Sequence, residues 1–301
     1  MALEPLFGIN IDPRADNWQN TFERAQVADR AGLDLLTSQD HPYNKTHLDT
    51  WTLLSAVAAV THNIHIGTNV ANLPLRPPAM LAKAAASLDV LSGGRVELGI
   101  GAGAFWRGVA AYGGPERSPG EAYEAFSEAL DIIRGMWDKA GGSLRYEGRH
   151  YQVQGAQPGP APLHPIRIWV GAIGPRMLRL VGAKADGVLV SITYVPPLRL
   201  NQVNDRIDEG AAAAGRDPEA VRRGYNLMGV IRERETRGIT SQDTGIDGPV
   251  DYWIEEIIRL RCDFRQDTFL FWPTEGDPIW QIERFAYEIA PAVREQTGGG
   301  A

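Results

Sequence analysis

The chain alternates between short apolar runs and longer amphipathic stretches, and this pair repeats eight times along its 301 residues. Apolar runs of roughly 4–8 residues are typical of buried strands, whereas the longer stretches repeat their apolar residues at helical spacing. Such alternation indicates parallel βαβ units, because a parallel strand is reached through a crossover helix. The predicted strands are residues 6–10, 33–38, 64–68, 96–100, 166–170, 187–191, 225–231 and 268–272.

A predicted helix follows each strand, and no shift in composition divides the chain into halves. Eight such units predict a (β/α)8 TIM-type barrel, an α/β fold that forms a single domain over residues 1–301. A doubly wound sheet is the alternative, but it would require a glycine-rich turn after the first strand, and residues 10–14 contain no glycine. The predicted helices are residues 17–31, 50–60, 79–91, 122–137, 176–184, 198–214, 250–260 and 279–294.

Two connections are longer than an ordinary βα loop. Residues 141–153 precede the fifth strand, and their alternating pattern around Glu147 and Gly148 predicts a short hairpin insertion. Residues 232–248 follow the seventh strand, where a long loop at the mouth of a barrel usually covers an active site. A solvated surface loop explains this second segment equally well.

Composition excludes several classes of protein. Hydrophobic residues make up 44% and charged residues 22%, as in ordinary soluble domains, and the net charge is −7 with no basic stripe that would bind nucleic acid. No stretch reaches about 18 apolar residues and the N-terminal sequence lacks a basic region before an apolar run, so we expect neither a membrane span nor export. The single cysteine, Cys262, suits a reducing cytoplasm.

In a barrel of this kind, function is expected at the C-terminal ends of the strands. The second strand is followed by Asp40 and His41, a carboxylate and an imidazole that could act as general acid or base; helix capping or packing is the alternative. The third strand ends in Thr68, Asn69 and Val70, and small polar groups continue beyond it. After the fourth strand come residues without large side chains, which would let a planar ligand approach the backbone: Gly101, Ala102 and Gly103.

The turn after the fifth strand combines backbone N–H groups, the positive end of a helix and a guanidinium. These groups suit an anion, especially a phosphate. An ordinary βα turn with an exposed arginine is the alternative. The residues of this turn are Gly171, Ala172, Ile173, Gly174, Pro175 and Arg176.

Other chemistries find less support in the sequence. None of the six histidines forms a close ligand pair on one helix, and Asp40 and His41 point apart on a regular strand, so we expect no metal site. The chain has neither a Gly-x-Ser-x-Gly elbow nor a Walker phosphate loop, which disfavours acyl transfer and nucleotide hydrolysis.

Taken together, these motifs resemble the luciferase-like family of flavin and deazaflavin oxidoreductases over nearly the whole chain, and the resemblance implies the same TIM-type barrel. Within the family, residues 38–41 and 171–175 look more like the branch that uses coenzyme F420, including methylenetetrahydromethanopterin reductases, than like the FMN-using luciferases. The segments that carry the resemblance are residues 31–35 with 40–41, 67–70, 91–101, 146–151, 171–178 with 185–187, and 267–273.

The resemblance implies roles for particular residues. Asp40 and His41 would face the deazaflavin ring, and residues 68–70 would form a bulge behind it with a cis peptide bond at Asn69-Val70. Gly174, Pro175 and Arg176 would hold the phosphate. One departure concerns the proton donor: some deazaflavin dehydrogenases of the family carry an acidic residue just beyond the fourth strand, whereas this chain has no carboxylate there until Glu116.

We therefore expect a cytoplasmic oxidoreductase that moves a hydride between coenzyme F420 and a small organic substrate, with a homodimer as the family's usual assembly. His41 would supply or remove the proton, and Asp40 would orient the ring or the imidazole. An FMN-dependent monooxygenase on the same barrel is the nearest alternative, and a hydrolase or lyase using Asp40 and His41 is a remote one.

Further side chains are assigned by position. Aromatic residues near strand ends could line the substrate side, although plain core is their commoner role: Phe7, Tyr43, Phe105, Trp106 and Trp272. Three other histidines, His47, His62 and His65, are expected to lie outside the pocket.

Overall fold

A closed barrel of eight parallel strands forms the centre of the computed structural model, which describes residues 3–138, 142–233 and 245–298. The last barrel strand pairs with the first, so that Leu6 lies opposite Thr268. The predicted (β/α)8 barrel is thereby confirmed. In order around the barrel, the strands are β1 (Leu6–Ile11), β2 (Leu35–Ser38), β3 (His65–Thr68), β5 (Val96–Gly101), β8 (Ile168–Gly171), β9 (Gly187–Ser191), β10 (Arg222–Arg232) and β12 (Thr268–Pro273).

The remaining strands are short additions to this barrel. β4 (Ala71–Asn72) pairs with the end of β5, and β11 (Ile246–Pro249) pairs with the end of β10. β6 (Leu144–Glu147) and β7 (Gln152–Ala156) form an antiparallel pair before β8, at the place where we predicted a hairpin. Most of the long loop predicted after the seventh strand, residues 234–244, lies outside the described residues.

Helices cover the outside of the barrel, and among the described residues none has the length and apolar character needed to cross a bilayer. The predicted helices are found with small shifts at their ends, and α4 is an addition after β5. The helices are α1 (Trp18–Arg30), α2 (Thr50–Val60), α3 (Pro78–Ser92), α4 (Trp106–Ala111), α5 (Pro119–Trp137), α6 (Pro175–Lys184), α7 (Leu200–Ala213), α8 (Val250–Phe264), α9 (Pro278–Arg284) and α10 (Ala290–Thr297).

The last predicted helix, residues 279–294, is not one regular α-helix. Between α9 and α10 the backbone forms a π-helical segment, Phe285–Ile289. Pro291 stands in the first turn of α10, where its ring and its missing N–H interrupt the α-helical hydrogen bonds of the preceding turn. A π-helical turn is one way in which a helix absorbs such an interruption.

The hydrophobic core has two layers, one between the strands and the helices and one inside the barrel. The inner layer consists of Leu35, Trp169, Leu189 and Leu270, with Val70 packed against it. Trp169 fits inside because the neighbouring strand presents a glycine: a β-carbon added to Gly187 would lie 2.5 Å from Cε3 of the indole. The indole of Trp169 therefore fills the space that a side chain at position 187 would take, as expected for a closely packed interior.

This packing predicts the effect of adding one methyl group. Gly187→Ala should lower the free energy of unfolding by roughly 1–3 kcal/mol, because the new β-carbon overlaps Trp169 in a closed interior. Gly120→Ala is the matched control: it adds the same group to the first turn of α5, where nothing lies within 4 Å, and should be neutral or slightly stabilising. Urea denaturation measures both, and equal stability of the two variants would contradict the packing argument.

Candidate active site

The predicted site residues lie at one end of the barrel. Because all eight barrel strands are parallel, their C-terminal ends meet at the same mouth. Strand register shows the adjacency directly: Ser38 lies opposite Thr68, and Gly101 lies opposite Gly171. Residues that are distant in sequence, after β2, β3, β5 and β8, are thus brought together.

A bulge follows β3, as the resemblance implied. Thr68 ends the strand and donates a hydrogen bond from Oγ1 to the carbonyl of Gly99 at 2.6 Å. The peptide bond between Asn69 and Val70 is cis, so this prediction is confirmed. The chain then forms β4 alongside β5.

Val70 occupies space that we expected a ligand to use. A β-carbon added to Gly101 would lie 2.8 Å from Cγ2 of Val70, and one added to Gly171 would lie 2.9 Å from the same atom. The expectation that Gly101 leaves its backbone free for a planar ligand is therefore wrong. These glycines instead let the Val70 side chain pack against the inner layer of the barrel.

Asp40 is fully engaged by protein groups. The side chain of Arg76 donates from Nε to Oδ2 at 2.7 Å and from Nη2 to Oδ1 at 2.8 Å, and the N–H of Asn72 donates to Oδ2 at 2.9 Å. Only 1% of Asp40 is exposed. Burial lowers the pKa of Arg76, but its bonds to Asp40 and Asp49 raise the pKa overall, so the guanidinium stays charged. The hydrogen bonds of the carboxylate thus go to these groups and not to the His41 imidazole.

His41 lies at the mouth, with part of its ring open to solvent and part covered by neighbouring aromatic rings. Its Nδ1 lies 2.8 Å from Oη of Tyr43, whose ring meets Phe105 edge-on with 5.1 Å between centroids. The prediction that His47 lies outside the pocket is wrong, because its ring centroid is 6.4 Å from that of His41. The cleft has a volume of ≈ 750 Å³ and is lined by Gln39, His41, Tyr43, Asn44, Lys45, His47 and Phe105.

Both members of the His41–Tyr43 pair are shifted toward their neutral forms. Burial and the neighbouring His47 lower the pKa of His41, and together they outweigh the opposite effect of Asp40. Burial raises the pKa of Tyr43. At neutral pH the imidazole is therefore uncharged and the phenol keeps its proton.

A network of side-chain amides forms the floor of the mouth, and sequence reasoning missed it. Nδ2 of Asn69 donates to Oδ1 of Asn226 at 2.7 Å, and Nδ2 of Asn226 donates to Ser191 at 2.9 Å. Thr37 donates to Oδ1 of Asn10 at 2.9 Å, whereas Nδ2 of Asn10 is buried and finds no partner among the described residues. The sequence did carry a signal for this network, because an asparagine at the end of an apolar strand, or within one, rarely serves packing alone.

The turn before α6 is open on its outer side. Gly174 is the N-cap of this helix, and a β-carbon added there would meet no atom within 4 Å. Arg176 is exposed, with its guanidinium 4.5 Å above the ring of Tyr123. The first turn of a helix leaves N–H groups without intrahelical partners. The turn can therefore present N–H groups and a positioned cation to an anion.

Of the five aromatic residues proposed for the substrate side, two line the cleft and Phe7 lies elsewhere. Tyr43 and Phe105 line the cleft, as predicted. Phe7 does not: it is fully buried between the barrel and its helices, with ring centroids 5.6 Å from Phe269 and 5.9 Å from Phe285. Side chains alternate along a strand, and Phe7 falls on the outer face of β1.

The chain resembles known proteins along most of its length. A family model described as luciferase-like monooxygenase matches residues 6–237. The chain is 30% identical over 233 residues to the 5,10-methylenetetrahydromethanopterin reductase of Archaeoglobus fulgidus, covering 76% of this chain and 65% of that protein. It therefore spans less than two thirds of that relative's length.

In two further comparisons, the match covers more of the other protein's length. The chain is 33% identical over 283 residues to an F420-dependent glucose-6-phosphate dehydrogenase of Beutenbergia cavernae, covering 86% of this chain and 80% of that protein. A solved F420-dependent secondary alcohol dehydrogenase, in complex with an F420-acetone adduct, superposes with a TM-score of 0.85 at 19% identity and covers 97% of this chain and 99% of that one. At this identity the superposition shows the shared fold.

The environment of His41 predicts its titration. NMR should give a pKa for His41 below the ordinary value of about 6.5, because burial and His47 disfavour the imidazolium. His47→Ala should raise this pKa, whereas His62→Ala, at the far end of α2, should leave it unchanged. Since the folded-state pKa lies below the unfolded one, protonation of His41 destabilises the fold as the pH falls below about 6.5. A parent pKa above 6.5 would contradict this account.

Proposed function

Because the chain belongs to the luciferase-like monooxygenase family, we propose that it is an oxidoreductase that transfers a hydride between coenzyme F420 and a small organic substrate. A relative with 33% identity is named as F420-dependent, which favours the deazaflavin over FMN. The observation that carries the proposal is the position of the His41 cleft, the wall around Val70 and the open turn before α6 at one end of the barrel.

The residues at this end fit such a coenzyme. Arg176 and the first-turn N–H groups of α6 would hold its phosphate, and Ala172 and Ile173 line the approach to that turn. Asn10 offers a buried amide donor without a partner among the described residues, on the floor of the mouth. When bound, F420 would supply the ring carbon that gives or takes the hydride.

Proton transfer falls to His41 in this proposal. The raised pKa of Tyr43 keeps its hydroxyl protonated, and donation from Nδ1 of His41 to the oxygen of that hydroxyl would leave Nε2 without a proton. Nε2 can then take the proton of a substrate hydroxyl as the neighbouring carbon gives up hydride, and in the reverse direction the imidazolium returns this proton to the substrate atom that becomes negative. This arrangement replaces the acidic residue that the segment from Gly103 to Arg107 lacks.

The role of Asp40 in the proposal is to position other groups. Its bonds to Arg76 and to the backbone of Asn72 tie the end of β2 to the segment after the bulge. Any contact of Asp40 with the coenzyme would add to these bonds. We retain Thr68, Asn69, Val70, Ala102 and Gly103 as the predicted wall beside the ring.

Coenzyme binding is tested by titrating the purified protein with F420 and, separately, with FMN. We expect F420 to bind more tightly, and Arg176→Ala to weaken its binding by roughly 1.5–3 kcal/mol without changing the absorption spectrum of the bound ring. Arg179→Ala is the matched control, because Arg179 lies one turn along α6 and is paired with Glu209. Tighter binding of FMN would support a monooxygenase instead, and unchanged F420 affinity in Arg176→Ala would remove this turn from the site.

The role of His41 is tested by single-turnover hydride transfer. A substrate is first identified from the F420 absorbance change against a panel of alcohols, aldehydes and enones. His41→Ala should then slow transfer by roughly 10²–10⁴-fold while F420 affinity changes little, because the phosphate turn and the ring wall carry the binding. His62→Ala, exposed at the end of α2, should remain within a few-fold of the parent. Transfer at the parent rate in His41→Ala would place the proton donor elsewhere.

We further propose that the enzyme is a homodimer in the cytoplasm. The family resemblance supports the dimer, and the single, exposed Cys262 is compatible with a reducing compartment. Light scattering of the purified chain measures the assembly.

A further inference from the structure

Three side chains from separate segments meet at the N-terminal end of the barrel, opposite the proposed active site. His65 is the first residue of β3, Glu97 is the second residue of β5, and His164 precedes β8. Parallel strands begin at a common end, so these positions converge there for the same reason that the active-site residues converge at the mouth. The proposed hydride-transfer chemistry uses none of them.

Their donor atoms lie close enough to share one metal ion. One nitrogen from each histidine and one oxygen of Glu97 lie within 4.8 Å of one another. His65 Nδ1 is 3.5 Å from Oε1 of Glu97. Tetrahedral zinc with ligand distances of about 2.0–2.2 Å places neighbouring ligand atoms roughly 3.4 Å apart. The His65–Glu97 spacing matches this, and a nitrogen of His164 lies within 4.8 Å of both atoms.

The outer contacts of these residues are those that a metal site requires. Glu97 is 4% exposed, and its Oε2 accepts a hydrogen bond from the indole of Trp169 at 2.9 Å, which fixes the carboxylate. Nδ1 of His164 lies 2.7 Å from Oδ1 of the buried Asp89, within ion-pair distance although not in hydrogen-bond geometry, and coordination through Nε2 would keep this contact. Carboxylate–histidine pairs of this kind orient metal ligands in proteins.

Three ring nitrogens at the cluster have no hydrogen-bond partner. His65 Nδ1 and both ring nitrogens of His164 are buried, and none of them forms a hydrogen bond within the described part of the chain. Buried polar atoms are nearly always satisfied, so neighbouring exceptions require an explanation. A cation bound by one nitrogen of each histidine satisfies two of the three at once.

From these observations we propose that His65, Glu97 and His164 bind a zinc ion, with water at the fourth position. Imidazole and carboxylate ligands suit Zn²⁺ among the common divalent metals. The ion would fasten the proline-rich segment before β8 to the starts of β3 and β5. This site departs from our expectation that the chain holds no metal, which considered only ligand pairs close in sequence.

Arg167 supplies a specific test of the site. Its Nη1 donates to Oε1 of Glu97 at 2.8 Å, so a guanidinium stands beside the position of the ion. The carboxylate oxygen has a second lone pair for the metal, but the positive charge of Arg167 opposes a cation. Removal of this charge should therefore tighten zinc binding, whereas removal of a true ligand should weaken it.

The experiment titrates chelator-treated protein with Zn²⁺ by isothermal calorimetry. We expect one ion per chain, at least tenfold weaker binding in His65→Ala and in His164→Ala, and tighter binding in Arg167→Ala. Two controls address other places where zinc could bind: His47→Ala at the mouth and Cys262→Ser on α8 should each retain the parent affinity. His65, His164 and Arg167 are partly exposed, so their variants should fold, and circular dichroism checks this.

Several outcomes would overturn the proposal. They are absence of stoichiometric zinc binding in the parent, parent-like affinity in both histidine variants, and weaker binding in Arg167→Ala. Should either histidine variant fail to fold, Co²⁺ added to the parent serves instead, and lack of the visible absorption of a four-coordinate ion counts against the site. F420 affinity, measured separately, should be unaltered in His65→Ala, His164→Ala and Arg167→Ala, so the zinc site and the coenzyme site are tested independently.

Discussion

Closure of the barrel is the constraint on which the rest of the structure depends. The backbone pairing of β12 with β1 joins the two ends of the chain and leaves none of the eight barrel strands at an edge. Because every connection between barrel strands is a crossover, all strand ends of one kind meet at one face. The closed interior must then be filled by side chains, and Trp169 does so against Gly187 while Val70 does so against Gly101 and Gly171. Closure thus sets the positions of both the packing and the site.

The two ends of the barrel differ in their polar chemistry. At the C-terminal mouth, His41 and Tyr43 are held in their neutral forms, and Asp40 is neutralised by Arg76. A neutral imidazole beside a protonated phenol suits proton transfer, whereas a buried carboxylate paired bidentately with a guanidinium suits positioning. At the opposite end, Glu97 joins histidines from other segments, in an arrangement that favours a cation. The barrel separates the proposed active site from the proposed zinc site by its full length.

Much of the candidate site could be predicted from the sequence, because it depends on the residues immediately after each strand. The proposed phosphate turn at Gly174 and Arg176 has a local sequence signature, and the cis bond before Val70 followed from the family resemblance. Prediction failed where a side chain's neighbour comes from another strand. Gly101 was expected to leave its backbone open to a ligand, but the Val70 side chain fills the space beside it. Phe7 was expected to line the pocket, but its ring faces the helices. Occupied space is a property of the packed interior, which spacing along the chain does not encode.

The sequence by itself determined the fold class, the order of the eight units and the end of the barrel at which the coenzyme is expected. Hydrophobic periodicity and turn residues act over a few residues and are written directly in the chain. Only the tertiary structure decided that Arg76 neutralises Asp40, that His47 stands beside His41, and that His65 meets His164. Each of these pairs is brought together by barrel closure or loop packing. The Coulomb and hydrogen-bond energies of such a pair depend on distances of a few ångströms, and these distances arise only when the strands are in register.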